Sequence, residues 1–218
     1  MKPIRLLLVE DDPDWVKSMS VYLNREEDLL VVGTAATPEE ALRLAASIEF
    51  DVALLDVHLT EEGRDGIYTA LALAELRPVR IVMLTSDASE RTMTDAFTAG
   101  ALHYLDKSRF RELPQAIRGV YHHPEAMEAL LKELRRLRRE EQLQPLTAAE
   151  REVYELLEEG CTHAQIERKL YKSESTLKNQ VNKILKKLGV RSGREAVDKV
   201  RKGGLNSKRG EEDTEAKN

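Results

Sequence analysis

Residues 4–12 read IRLLLVEDD, a nearly continuous apolar run that ends in three consecutive acidic side chains. Short strands that are apolar on both faces are typical of a parallel sheet with helices packed on either side. More bursts of this kind follow in the first half of the chain, and amphipathic helical patterns alternate with them. The bursts cover residues 29–33, 52–56, 80–84 and 101–105, and the helical patterns cover residues 13–24, 38–47, 65–76, 89–99 and 111–120. The alternation predicts a doubly wound α/β domain with a five-stranded parallel sheet.

Acidic and polar side chains stand where four of these strands end. In a doubly wound sheet the carboxyl ends of all strands lie on one edge, so we expect these side chains to converge. They are Glu10, Asp11 and Asp12 after the first strand, Asp56 at the end of the third, Thr85 and Ser86 at the end of the fourth, and Lys107 at the end of the fifth. Asp12 precedes Pro13 and is expected to cap the first helix rather than to bind a metal.

This set of residues suits phosphoryl chemistry. Several carboxylates in one cleft make an oxygen-ligand site for a hard cation, for which Mg²⁺ is the usual choice. An aspartate beside such a cation, here Asp56, can attack a phosphoryl group, while a lysine and a hydroxyl opposite bind the phosphoryl oxygens. The sequence contains no glycine-rich phosphate loop, and its five histidines lack the spacing of a metal site.

Four segments of this half resemble the receiver domain of two-component response regulators, whose fold is doubly wound and flavodoxin/CheY-like. They read LLLVEDD (6–12), DVALLDVHL (51–59), IVMLTSD (81–87) and AGALHYLDKS (99–108). The resemblance covers about residues 3–120. Together the four segments are specific to this family, although each alone is a weak signal.

The resemblance implies a role for each residue at this edge, and it identifies Asp56 as the phosphoacceptor. The implied metal ligands are Glu10 (through water), Asp11 (directly), Asp56 and the backbone carbonyl of His58. The implied switch and phosphoryl-binding residues are Thr85, Tyr104 and Lys107. The alternatives are that Asp56 only caps a strand end and that Lys107 only forms a structural ion pair with Asp11.

The segment after Asp56 departs from the family pattern. It reads VHLTEEGRDG (57–66), with Thr60 where a proline is frequent, and it is slightly longer than usual. Because this loop borders the predicted site, the resemblance does not fix the lifetime of a phosphorylated Asp56 or the choice of kinase.

Residues 124–143 predict one long charged helix between the two halves of the chain. Met127, Leu130, Leu134 and Leu137 recur in it at three- and four-residue spacing, about two heptads of an a/d pattern. A short coiled coil and a linker helix that packs one apolar stripe on a neighbour both fit this pattern.

The second half of the chain is helical by pattern, and its basic part indicates nucleic-acid binding. Residues 168–203 contain twelve Lys and Arg against three Asp and Glu, although the whole chain has a net charge of -5. The alternative is that these basic residues form a helical face that contacts only solvent. The helical patterns cover residues 147–159, 162–170, 174–188 and 193–201. Thr147 and Glu150 predict a capping box, and Gly160 and Gly189 predict helix ends.

The patterns at residues 162–170 and 174–188 predict a helix-turn-helix, whose second helix enters the major groove of DNA. The apolar stripe of that helix leaves Lys178, Asn179 and Asn182 on its outer N-terminal face, and these residue types suit base edges. Four further side chains of this helix are of types that contact DNA phosphates: Thr176, Lys183, Lys186 and Lys187. Exposure to solvent alone also explains the presence of each lysine.

Residues 146–197 are similar to the LuxR-type helix-turn-helix of the NarL/FixJ group of regulators. The similar strings are LTAAEREVYELLEEG (146–160) and QIERKLYKSESTLKNQVNKILKKLGVRSGREAV (165–197). The resemblance implies the same three base-reading residues and a last helix, around residues 194–200, that can form a DNA-bound dimer interface. Ala149, Glu167 and Gln180 depart from the usual residues, so the operator sequence does not follow from it.

The order and composition of these segments predict four parts of the chain. The domains are a receiver at 1–121, a helical linker at 122–145, a helix-turn-helix domain at 146–203 and a disordered tail at 204–218. No apolar run is long enough to span a membrane, and the first residues lack the apolar stretch of a signal peptide. Cys161 is the single cysteine, so no internal disulfide can form, and we expect a cytoplasmic protein.

We therefore expect a DNA-binding transcriptional regulator under the control of phosphorylation. A sensor histidine kinase would donate the phosphoryl group, and the phosphorylated chain would bind double-stranded DNA as a homodimer. The chain is not expected to be an enzyme, beyond accepting and releasing a phosphoryl group on its own aspartate. One alternative is a DNA-binding regulator whose first domain only dimerises, independently of phosphorylation. Another is a phosphohydrolase, but that class has a second acid where this chain has His58.

Overall fold

The computed structural model describes residues 2–60, 65–86 and 89–205, which form two compact units divided between Lys132 and Glu133. The first unit is built on a parallel sheet with strand order β2-β1-β3-β4-β5. The strands are β1 (Ile4–Val9), β2 (Leu29–Ala35), β3 (Val52–Asp56), β4 (Arg80–Thr85) and β5 (His103–Asp106). This is the doubly wound, flavodoxin/CheY-like strand order, so the predicted fold class is confirmed.

Five helices cross between or follow these strands. They are α1 (Pro13–Leu23), α2 (Pro38–Ser47), α3 (Asp65–Leu76), α4 (Glu90–Thr98) and α5 (Leu113–His122). The side chains of Asp12, Thr37 and Ser89 accept hydrogen bonds from backbone N–H groups in the first turns of α1, α2 and α4. The capping role that the sequence predicts for Asp12 is therefore confirmed.

The sheet is buried on both faces, as its apolar strands predict. Every residue of β3 is buried, and so is every residue of β1 except Arg5, whose guanidinium forms an ion pair with Asp51. Full burial of a leucine or valine side chain stabilises a fold by about 1.5–3 kcal/mol. Since β3 lies at the centre of the sheet, its last residue, Asp56, is held on the most firmly buried strand.

The second, fourth and fifth strands differ from their predicted bounds, and an additional helix follows β5. The second strand runs on to Ala35 and the fourth to Thr85. The fifth covers His103–Asp106 rather than residues 101–105, although Leu102 already donates its N–H to the carbonyl of Ile81 in β4. A 3₁₀ helix, Lys107–Glu112, follows β5. The Asp106 side chain starts it by accepting the backbone N–H of Ser108.

The second unit is all-helical, as predicted. Helix α6 (Glu125–Leu143) runs from the first unit into the second, which also contains α7 (Ala148–Glu158), α8 (His163–Leu170), α9 (Glu174–Leu188) and α10 (Gly193–Arg201). The predicted capping box of Thr147 and Glu150 is present, and Gly189 ends α9 with a left-handed φ of 64°. The apolar faces of α7, α8, α9 and α10 share one core, which also includes Leu143 of α6.

Two expectations reach beyond the described residues. The tail predicted from residue 204 is described only to Leu205, where Gly204 donates its backbone N–H to the carbonyl of Lys199. The long loop after Asp56 contains residues 61–64, which are not described either. In the parts of the chain that are described, helices suited to crossing a membrane by length and hydropathy are absent.

Candidate functional site

Three carboxylates meet at the carboxyl edge of the sheet, as the strand pattern predicts. Glu10 and Asp11 follow β1, and Asp56 ends the neighbouring β3. One oxygen from each of the three lies within 4.8 Å of the others. Glu10 and Asp56 are buried, whereas Asp11 is exposed, so solvent reaches the cluster from the side of Asp11.

Lys107 connects the two buried acids of this cluster. Its Nζ lies 2.6 Å from Oε2 of Glu10 and 2.8 Å from Oδ2 of Asp56. Among the described residues, these two acids are the ion-pair partners of Lys107. The alternative, a structural ion pair between Lys107 and Asp11, is therefore not observed. Since charge-assisted hydrogen bonds are short and directional, the ammonium group is held directly beside the Asp56 carboxylate.

Trp15 covers another side of the same ammonium group. Nζ of Lys107 lies 5.1 Å from the centroid of the indole ring, which is a cation–π distance. Trp15 was not predicted as a site residue, because an aromatic residue near the start of an amphipathic helix is ordinarily a core residue. Its one available signal is that it follows the acidic run by only three residues.

The charges at this site are strongly coupled. Burial, with added repulsion from Asp56, raises the pKa of Glu10 to about 7, although the hydrogen bond from Lys107 opposes the shift. Burial lowers the pKa of Lys107, but its hydrogen bonds and charge interactions with Asp56 and Glu10 outweigh burial and raise the pKa overall. Lys107 is therefore a cation at neutral pH, ready to bind an anionic group.

The donor set fits Mg²⁺, a hard cation that prefers oxygen ligands. Three carboxyl groups face one ammonium group, which leaves an excess of negative charge in the cluster. Oδ1 of Asp56 is buried and accepts no hydrogen bond from the residues that the structure describes. A buried carboxylate oxygen without a donor is costly unless a cation binds it. His58 is half-buried, two residues beyond Asp56, and the role of its carbonyl stays a prediction.

The predicted switch residues lie on the two strands next to β3. Thr85, which is fully buried, stands one residue beyond Leu84, the residue that pairs with Asp56 in the sheet. Tyr104 is half-buried on β5, and its ring centroid lies 6.5 Å from that of Phe97 in α4. The switch role of both residues stays a prediction.

Gly66 is a site residue that the sequence analysis did not identify. Its N–H donates a hydrogen bond of 3.0 Å to the carbonyl of Val57, and a Cβ at this position would lie 1.7 Å from the backbone oxygen of Asp56. Only glycine allows the start of α3 to pack so closely against the backbone of Asp56. The available signal was a glycine inside a helical pattern, which often marks close approach of two backbones.

The second unit presents the expected polar face on α9. Leu177, Val181, Ile184 and Leu188 are buried in the helical core. The residues predicted to contact bases or phosphates are all exposed: Thr176, Lys178, Asn179, Asn182, Lys183 and Lys186. Lys187 is exposed as well, but its Nζ forms an ion pair with the buried carboxylate of Glu150 in α7. It belongs to the fold of the unit rather than to a free cationic surface.

Tyr171 forms the turn between α8 and α9. It has a left-handed backbone conformation, with φ of 52°, and 97% of its surface is exposed. Left-handed conformations are unfavourable for residues with a Cβ, so this backbone conformation is unusual for a tyrosine. The sequence analysis expected only a tight connection here.

Comparison with known proteins matches both units to described families. Residues 6–118 match the response regulator receiver domain, and residues 144–200 match the luxR family of bacterial regulatory proteins. Transcriptional regulatory protein LiaR of Bacillus subtilis is 34% identical over 86% of this chain and 92% of LiaR. Nitrate/nitrite response regulator protein NarL of Escherichia coli is 31% identical over 90% of this chain and 94% of NarL.

A solved structure agrees with these matches. The crystal structure of a CheY-like response regulator receiver domain protein from Methanospirillum hungatei is 28% identical to this chain. The alignment covers 57% of this chain and 98% of that protein, with a TM-score of 0.51. It therefore corresponds to the first unit.

Proposed function

The chain belongs to the two-component response regulators that join a receiver domain to a LuxR-type DNA-binding domain, and we propose that Asp56 is the residue through which it is controlled. The relatives LiaR and NarL are a transcriptional regulatory protein and a response regulator, and we propose that this chain likewise regulates transcription, under the control of phosphorylation. The observation that carries the proposal is the position of Asp56, buried at the centre of an acidic cluster with the Lys107 ammonium 2.8 Å from one oxygen.

The proposed reaction is phosphoryl transfer from a histidine of a sensor kinase to Asp56. A carboxylate oxygen of Asp56 forms a bond to phosphorus as the bond between phosphorus and the histidine nitrogen breaks. Lys107 and Thr85 would bind oxygens of the transferred group. Glu10, Asp11, Asp56 and the backbone carbonyl of His58 would hold Mg²⁺, which neutralises negative charge on the transferring oxygens.

The proposed switch follows from where the new charge is placed. Phosphorylation of Asp56 replaces the single negative charge of its carboxylate with about 1.5 to 2 negative charges on the phosphoryl oxygens, next to buried Glu10, so the ion pairs of Lys107 must redistribute. We expect the Thr85 hydroxyl to move toward the phosphoryl oxygens and Tyr104 to turn inward beside Phe97. The surface of β4 and β5 changes with them, and this favours a homodimer by shifting an existing equilibrium.

The proposed output is binding of the dimer to two DNA half-sites through α9. Lys178, Asn179 and Asn182 would read base edges in the major groove. Thr176, Lys183 and Lys186 would contact phosphates. Their common exposure on one helix, with the buried stripe on its other side, supports this assignment.

Phosphotransfer from radiolabelled acetyl phosphate in the presence of Mg²⁺ tests the phosphoacceptor. Wild type should become labelled, and Asp56→Asn should not. Asp14→Asn is the matched control, because Asp14 is an exposed acid in α1 close to the acidic run but outside the carboxylate cluster. Equal labelling of Asp56→Asn and wild type, or no labelling of either, would remove the proposed role and favour a receiver that only dimerises.

A further inference from the structure

Helix α6 carries an apolar stripe of Met127, Leu130, Leu134 and Leu137, and this stripe has no role in the proposed function. Leu130 and Leu137 keep 64% and 52% of their surface exposed, and Met127 and Leu134 are half-buried. Residues three and four apart lie on one face of a helix, so the four side chains form a continuous surface. An exposed row of leucines on a helix is typical of a surface that binds a partner.

In the second unit, the contacts of α6 with the helical core use a different face of the helix. Near its C-terminal end, Leu143 is fully buried in the helical core. Arg139 forms an ion pair of 2.8 Å with Glu158, and Glu140 forms one of 2.9 Å with Arg151. At about 100° per residue, Leu143 and Arg139 lie roughly opposite the stripe. The packing of α7 therefore leaves Leu134 and Leu137 on the other side of α6, whereas Leu131 beside the stripe is buried and Met127 and Leu130 border a groove lined by α5.

The charges beside the stripe indicate what covers it. With Met127 and Leu134 at heptad position a, Leu130 and Leu137 occupy position d, Glu133 occupies g and Arg138 occupies e. In a parallel pair of helices, a g residue faces the e residue five positions later on the partner. Glu133 and Arg138 have this spacing and opposite charge.

An antiparallel pair would bring g residues together, so that glutamates would face glutamates. The charges therefore favour a second copy of the same helix in parallel orientation. At present Glu133 pairs with Arg136 and Arg138 pairs with Glu141 along α6 itself. These are exposed ion pairs, which contribute little to stability and can be exchanged for intermolecular pairs.

We propose that the stripe of α6 packs against the same stripe of a second copy, as a short parallel two-stranded coiled coil. Glu141 at the next a position ends the seam, so the coiled coil has too few layers to hold two copies together unaided. It forms when phosphorylation brings two copies together, and it thus rests on the proposed phosphorylation-dependent dimer. A parallel pair has two-fold symmetry, which is the symmetry of a DNA site with two half-sites.

Cysteine cross-linking of the full chain tests the seam. In a Cys161→Ser background, Leu130→Cys should form a disulfide-linked dimer under mild oxidation after treatment with acetyl phosphate and Mg²⁺. Ala129→Cys is the matched control, because Ala129 is also exposed but lies at heptad position c, away from the seam. A wild-type chain that dimerises in sedimentation while neither cysteine cross-links would overturn the coiled coil and leave the proposed function standing.

Charge reversal tests the orientation. Glu133→Arg and Arg138→Glu should each raise the dimer dissociation constant by about three- to fivefold, since each dimer contains two such pairs. The double variant should restore it, whereas Arg135→Glu at position b should not change it. Failure of the double variant to restore pairing would overturn the parallel arrangement. A phosphorylated wild type that stays monomeric would overturn both this inference and the proposed dimer.

Discussion

Nζ of Lys187 lies 2.5 Å from Oε2 of Glu150, and this ion pair joins helix α9 to the first turn of α7. The same Glu150 oxygen accepts the backbone N–H of Thr147, so one buried carboxylate both caps α7 and holds α9. A lysine that the sequence groups with phosphate-binding residues is therefore a structural residue. The neighbouring Lys186 remains exposed on α9 and makes a matched comparison.

Lys187→Ala should destabilise the second unit, because it leaves a buried carboxylate without its cation. We expect the free energy of unfolding to fall by about 1–3 kcal/mol, the usual cost of an unpaired buried group. Urea unfolding followed by circular dichroism measures this change. Lys186→Ala should unfold at the same urea concentration as wild type, and equal losses in the two variants would contradict the structural role.

Acid should remove the same stabilisation. The hydrogen bond from Lys187 is the largest cause that lowers the pKa of Glu150 below its usual 4.5. A carboxyl group with a lowered pKa in the fold stabilises it above its ordinary pKa, and this contribution is lost as the pH falls through the lowered value. The stability difference between wild type and Lys187→Ala should therefore be largest at neutral pH and shrink below pH 4.5. Unfolding curves at a series of pH values give this difference directly.

Gly66→Ala should damage the phosphorylation site without touching its charged residues. The added Cβ would meet the backbone oxygen of Asp56 at 1.7 Å, so β3 or α3 must shift. We expect a loss of about 1–3 kcal/mol in stability, as for other overpacked sites, and a rate of labelling by acetyl phosphate at least about tenfold lower.

Gly119→Ala is the control for this substitution. A Cβ at Gly119, within α5, meets no atom within 4 Å. Alanine is the better helix former, so this variant should gain about 0.5–1 kcal/mol and be labelled at the wild-type rate. Normal labelling of Gly66→Ala would show that the close approach to Asp56 is not required.

Trp15 should report on metal binding at the acidic cluster. It is the single tryptophan of the chain, and its ring lies 5.1 Å from the Lys107 ammonium, so any shift of that ammonium changes the electric field at the indole. Titration with Mg²⁺ should change the fluorescence of the wild type. Asp11→Asn removes the most exposed carboxylate of the cluster and should weaken the apparent affinity for Mg²⁺ by about tenfold or more. A titration curve of Asp11→Asn that coincides with that of wild type would exclude Asp11 as a ligand.

Lys178 and Lys186 should affect DNA binding in different ways. Lys178→Ala should cost about 1–3 kcal/mol on DNA selected by the wild-type protein, and less on unrelated DNA, because it removes a base contact. Lys186→Ala should weaken binding to all sequences similarly and lower the salt dependence by about one counterion. Fluorescence anisotropy at several salt concentrations separates the two effects. Equal losses for Lys178→Ala on all sequences would contradict base reading.

Much of the fold could be read from local patterns. Apolar bursts such as Val52–Asp56 predict buried strands because both faces of a parallel sheet are covered, and the capping residues Asp12 and Thr147 predict helix starts because they satisfy backbone N–H groups nearby in the chain. The end of β2 and the 3₁₀ helix after β5 escaped prediction, since edge pairing and a short side-chain cap leave weak signals in the sequence.

The doubly wound sheet, the convergence of Glu10, Asp11 and Asp56, and the exposed polar face of α9 could all be predicted, because periodicity and strand ends are visible in neighbouring residues. Tertiary structure alone decided that Lys107 pairs with Glu10 and Asp56, that Gly66 lies against the Asp56 backbone, and that Lys187 belongs to the fold. These contacts join residues that are distant in the chain. A local pattern records which faces of an element are apolar, but the partners of a charge depend on distances that exist only once the elements have packed.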